Sequence, residues 1–231
     1  MSGTALQERD VELIRRAADA GLPDAQAMLG QMLLDGQGVE VDPAAALLWF
    51  TRAAAQQHLM ALNMVGRCYD LGWGTAVDKG RAAECYRVAA ERGLDWAMYN
   101  YATLLALGAG VAEDKAAALD WLERAAALGN AKAINFVGSF AEDGWAHPRD
   151  MAKAAACYAR AAAGGDFRGC FNHARMLAEA GRMDDALHWI GRAGALGNDR
   201  FLRQVRDWLA ACRYPTLRSR GPAALAGGRA C

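Results

Sequence analysis

Apolar residues recur with helical spacing along segments of about a dozen residues, and a glycine or turn-forming pair closes most of them. Residues 25–34 form one such segment, with Ala25, Leu29 and Leu33 on one side and Gly36 directly behind it. A glycine at that place supplies the left-handed residue that ends a helix. Asp42 and Pro43 follow, a carboxylate able to accept the orphan amide hydrogens of a helix start and a proline where a missing N–H costs nothing. The pattern therefore predicts a first helix (helix A), a glycine-rich loop, a second helix (helix B) and a short turn.

That unit repeats every 36 residues. Small residues stand at Gly30, Gly66, Ala102, Gly138 and Ala174; loop glycines at Gly36, Gly72, Gly108 and Gly144; aspartates at Asp42, Asp78, Asp114 and Asp150. Alanine pairs begin at Ala53, Ala89, Ala125 and Ala161, and Gly21, Gly93, Gly129, Gly165 and Gly197 are placed to stop helix B. The small residue in mid helix A lets helix B approach. The bulky columns Trp49, Cys85, Trp121, Cys157 and Phe50, Tyr86, Leu122, Tyr158 are placed to fill the space between them. One helix pair cannot bury both of its faces, so consecutive pairs must stack.

Repeats are expected at about 25–59, 61–94, 97–130, 133–166 and 169–198, the last with a loop four residues shorter through Gly181 to Asp184. A capping helix is expected at 10–20, a closing helix at 200–212, and a flexible basic tail at 213–231, where Pro215, Gly221, Pro222 and Gly227-Gly228 interrupt any helical period. Alanine richness and few β-branched residues agree with an all-α chain.

Residues 25–54 read A-x-x-x-L-G-x-x-L-x-x-G-x-G-V-x-x-D-x-x-x-A-x-x-W-x-x-x-A-A, and the third unit keeps Gly108, Gly110, Val111, Asp114, Ala118, Trp121 and Gly129. This resembles the Sel-one-like repeat family, relatives of the tetratricopeptide repeats, over roughly 13–198. The departures are Gln57 for a terminal glycine, Ala146-His147 for Gly-Val, and the short fifth loop. The resemblance implies a right-handed α–α superhelix, a solenoid of about five helix-turn-helix repeats with capping helices. It also implies a scaffold for protein complexes, often in bacterial signalling, envelope or host-interaction pathways.

Charge changes this picture little. The chain carries 26 basic and 26 acidic residues, so no overall field draws it to nucleic acid or an anionic membrane. Seven arginines against two aspartates from Asp199 onward make only that end basic. No apolar run is long enough to span a bilayer, and the polar opening at 1–10 is unlike a cleavable signal, so a cytoplasmic protein is expected.

Candidate chemistry is sparse. The six cysteines are spaced 17, 72, 13, 42 and 19 residues apart, with no C-x-x-C, and the four histidines are scattered, so no metal or cofactor site is expected. Cys85 and Cys157 read as core fillers in columns otherwise held by tryptophan. Cys157 and Cys170 lie on sequential helices and could pair, although a buried free thiol fits a reducing compartment better; Cys212 and Cys231 fall in or near the tail. His173 sits in the core column of Leu29, Val65, Tyr101 and Val137. No nucleophile, base and orienting group come together, which disfavours an enzyme; a hydrolase or thiol-redox protein using a cleft is the alternative.

A protein or peptide partner is the expected ligand. The tetratricopeptide arrangement implies that helix A lines the concave face. Two of its columns, Ala27, Asn63, Tyr99, Asn135, Phe171 and Gln31, Arg67, Thr103, Ser139, Arg175, vary among amides, aromatics and arginines where core columns repeat one apolar type. With Trp96 and Asn100 added, the expected partner-binding stripe is Asn63, Arg67, Trp96, Tyr99, Asn100, Asn135, Phe171 and Arg175.

Overall fold

A computed structural model describes residues 2–228, with side chains from residue 9 onward. Thirteen helices and no strand are found among the described residues. Helix α1 (Ser2–Asp19) starts well before the expected cap at 10–20. The A helices of the repeats are α2 (Pro23–Asp35), α4 (Leu59–Leu71), α6 (Asp95–Leu107), α8 (Ala131–Asp143) and α10 (Phe167–Glu179). Their B partners are α3 (Pro43–Ala55), α5 (Lys79–Glu91), α7 (Lys115–Ala127), α9 (Met151–Ala163) and α11 (Met183–Leu196). Two helices close the chain, α12 (Asp199–Ala211) and α13 (Pro215–Gly227). The chain divides into two compact units, one through Ala118 and one from Leu119.

The local signals act as the sequence implies. Asp42, Asp78, Asp114 and Asp150 each accept an amide hydrogen at 2.9 Å, from Ala45, Arg81, Ala117 and Lys153. Each also donates its own N–H back across the loop, to the carbonyls of Leu33, Tyr69, Leu105 and Ala141 at 2.8–3.0 Å. Gly36, Gly72, Gly108 and Gly144 take φ of 62–75° and end the A helices. After the B helices Gly93 adopts φ 97°, and in the first repeat Gln57 holds the same place at φ 67°, the one non-glycine with positive φ among the described residues. Gly197 differs from its column: it is extended at φ −79°, ψ 149°.

In the first unit the mid-helix glycines define the A–B contact. A Cβ on Gly30 would lie 2.7 Å from Phe50 Cε1, and one on Gly66 would lie 2.6 Å from Tyr86 Cε1. The aromatic column is thus the buried one, whereas Trp49 and Cys85 beside it are only partly covered. A second contact ties neighbouring repeats. Gly74 abuts the carbonyl of Pro43, and Gly110 abuts the backbone of Lys79, so the loop of each repeat rests on the start of the preceding B helix.

The second unit repeats the A–B contact at Gly138, whose Cβ would stand 2.7 Å from Tyr158 Cε1. The fifth connection is short as expected, with Gly181 at φ 78° between α10 and α11. The expected flexible tail is corrected for residues 215–227, which form α13. Leu217, Gly221 and Leu225, four residues apart, bury one face, with Gly221 against Leu209 and the Leu225 backbone against Gly194 of α11. Pro215 opens this helix and Pro222 lies on its exposed side, so neither breaks it. α12 and α13 therefore form a sixth helix pair that lacks the repeat's consensus. Cys231, placed in the expected tail, falls outside the described residues.

Candidate functional site on the A helices

In the first unit, Met60, Asn63, Arg67 and Leu71 are spaced to share one side of α4, and Trp96, Asn100, Thr103 and Leu107 one side of α6. The two helices are joined there by an amide pair, with Asn100 Nδ2 donating to Asn63 Oδ1 at 2.9 Å. Asn63 is only 3% exposed, so it positions Asn100 rather than meeting a partner itself. The Arg67 guanidinium stacks 4.7 Å over the Trp73 ring and reaches the Met64 sulfur at 3.7 Å. Such stacking holds the fork in place while leaving polar edges for an anion. The same two helices expose apolar side chains: Trp96 is 40% exposed, and Met60, Leu71 and Leu107 are exposed too. Tyr99 is half-buried, and its carbonyl accepts the Thr103 hydroxyl hydrogen at 2.9 Å.

The second unit has the same amide pair. Asn172 Nδ2 donates to Asn135 Oδ1 at 2.9 Å, and Asn135 is 8% exposed. The rest of the expected stripe is engaged internally. Arg175 Nη2 donates to both Glu142 oxygens at 2.7 and 2.8 Å, and the Tyr158 hydroxyl donates to Glu142 Oε2 at 2.6 Å. Burial and this carboxylate push the Tyr158 hydroxyl pKa up. Phe171 packs edge-on against Trp208 and Phe201 of α12, at 5.1 and 6.0 Å between centroids. Asn135 is thus buried, and Phe171 and Arg175, both in the expected stripe, are half-buried with partners inside the chain. Helix α12, which carries no repeat signature, covers the side of α10 that the columns left open.

Sequence reasoning did not single out Asn172, Glu142 or Tyr158 for this site. The amides were legible as asparagines 37 residues apart, Asn63 to Asn100 and Asn135 to Asn172. Nothing in the sequence indicated that each pair would bond.

The five cysteines among the described residues are all free thiols. Cys157 and Cys170 are both free thiols, so the possible bridge between them is not formed. Burial pushes Cys68 and Cys170 up to about 11 and raises Cys85 and Cys157 as well, away from the thiolate that redox or nucleophilic work needs. No group of His, Cys, Asp and Glu among the described residues is arranged to hold a metal ion, and no described helix is long and apolar enough to cross a membrane.

Comparison with known proteins supplies the wider frame. A solved Sel1 repeat protein from Oxalobacter formigenes matches with a TM-score of 0.74 at 25% identity, over 93% of this chain and 98% of that one. A protective antigen of uropathogenic Escherichia coli with the same repeat fold matches at 0.69 and 24% identity, over 95% of this chain and 49% of that one. Among curated proteins, the chitin synthase regulator SKT5 of Malassezia restricta is 30% identical over 171 residues, 71% of this chain. The chain spans only 12% of that regulator's length. Residues 23–58, 59–94, 97–130 and 131–166 each match the family model of the Sel1 repeat, together well over half of the sequence. With four matched repeats and an all-α solenoid of helix pairs, the chain belongs to the Sel1 repeat family.

Proposed function

We propose that this chain is a non-catalytic adaptor that binds a partner protein through the exposed side of its first-unit A helices, in a bacterial signalling, envelope or host-interaction pathway. The Sel1 repeat fold is in general a scaffold for protein–protein interaction, and the finer assignment rests on one observation. Exposed Trp96, Met60, Leu71 and Leu107 lie on the same two helices as Arg67 and Asn100, whose heads are already oriented by Trp73 and by Asn63. Apolar surface with a held guanidinium and a held amide is the composition of an interface centre, where tryptophan and arginine carry most of the energy. Holding the polar heads in advance lowers the ordering cost of binding. Tyr99 adds an aromatic flank.

A photo-crosslinking amino acid at position 96, with one at Arg87 on the B helix as control, identifies the partner. The double variant Trp96→Ala, Arg67→Ala should then lose about 3 kcal/mol of affinity, roughly a hundredfold. Its melting temperature should stay within a few degrees of the native value. Crosslinking from Arg87 but not from Trp96, or native affinity in the folded double variant, refutes the assignment.

A further inference from the structure

We infer that a second copy of this chain docks on α12, with α2 of the incoming copy taking the place of a following A helix. Inside the chain, neighbouring A helices meet at a fixed level. A hydrogen bond joins the fifth residue of one helix to the sixth of the next, Asn63 with Asn100 and Asn135 with Asn172. The same two places stand open on α2 and α12. Met28 is the sixth residue of α2 and is 52% exposed, whereas its equivalent Met64 is 6% exposed and buried with Leu29 and Leu33 of α2. Arg203 is the fifth residue of α12, and it too is exposed.

The two faces carry opposite charge. Residues 23–55, the first helix pair, hold four carboxylates against Arg52, and residues 199–227, the last pair, hold six arginines against two aspartates. The exposed row on α2 is Asp24, Met28 and Asp35, with Gln31 half-buried between them; on α12 it is Arg200, Arg203 and Asp207. Arg200 and Arg203 form no ion pair among the described residues. Parallel stacking at the level used inside the chain puts Arg200 opposite Asp24, both second residues of their helices, and the Arg203 stem over Met28. An arginine stem covers apolar surface while its head stays polar. A guanidinium already reaches a methionine sulfur in this chain, Arg67 to Met64 at 3.7 Å. Asp207 and Gln31, both ninth residues, meet as carboxylate and amide. Arg200 at the start of α12 works against the helix dipole, and an opposing carboxylate offsets that cost. The contact is heterologous, so it joins copies head to tail.

This contact uses neither Trp96 nor Arg67, so it and the α4 and α6 surface can fail separately. The test is sedimentation velocity on the full chain over a range of concentrations, at about 0.05 M and about 0.5 M salt, the higher of which screens exposed charges. At low salt the native chain should grow beyond a dimer as its concentration rises. High salt should lower the association constant about threefold, the worth of an exposed ion pair. Arg200→Glu with Arg203→Glu blocks one face, and Asp24→Lys with Met28→Lys blocks the other. Each variant alone should stay monomeric where the native chain associates, and an equal mixture of the two should associate again. Both should keep the native circular dichroism melt, since the changed side chains are exposed; the single changes Arg203→Glu and Met28→Lys repeat the test if a double variant is less stable. A native chain that is monomeric at every concentration and salt overturns the inference. So does native association in either blocked variant, or a mixture no larger than its components.

Discussion

Gly74→Ala against Gly93→Ala separates two effects that a glycine can hide. Both glycines have positive φ, 68° and 97°, so alanine at either meets the left-handed penalty of about 1 kcal/mol. At Gly93 nothing lies within 4 Å of the added Cβ, and Gln57 occupies the equivalent place one repeat earlier, so that penalty is the whole cost. At Gly74 the new carbon would fall on the carbonyl of Pro43 and close to Ala44 Cα, at 2.7 Å. These are backbone atoms at the start of α3, where Asp42 caps the helix, and they cannot rotate aside as a side chain can. Overpacking adds about 1–3 kcal/mol, for a total of about 2–4 kcal/mol. Urea unfolding followed by circular dichroism at 222 nm measures both variants, with unchanged slope as the check on two-state behaviour. Losses equal within about 0.5 kcal/mol would refute the reading that this loop is seated on the preceding B helix.

Two further outcomes concern titrating groups of the second unit. Burial, with Arg182 near it, lowers the His173 pKa from its ordinary 6.5, Asp185 opposing only partly. The folded state thus favours neutral imidazole, and stability is full above pH 6.5 and falls as the pH drops below it; His173→Leu should flatten that part of the profile in chemical denaturation. Burial raises the Asp166 carboxyl above its ordinary 3.8 although it caps α10 through Gly169 N–H at 2.6 Å, so the ionised form is disfavoured on folding and its penalty grows as pH rises through that range. Asn130 makes the same cap to Ala133 at 3.0 Å without a charge. Asp166→Asn should therefore match or exceed native stability at pH 7, whereas Asp166→Ala should lose about 1 kcal/mol by denaturant titration; a clear loss in the asparagine variant would refute this account.

What the sequence by itself determined is the set of features whose partners lie within a few residues. Asp42 and its column cap a helix three residues ahead, Gly36 and its column close one just behind, and a 36-residue period then dictates that helix pairs stack. Those interactions are local, so the residue types suffice. Tertiary structure decided everything that depends on which surface meets which. Asn63 reads as an exposed amide until Asn100 of the next A helix bonds to it, and Phe171 reads as a contact residue until Trp208 and Phe201 cover it. Residues 215–227 contain two prolines and two glycines, yet they are helical, because small residues let α13 sit directly on α11 and bury Leu217 and Leu225.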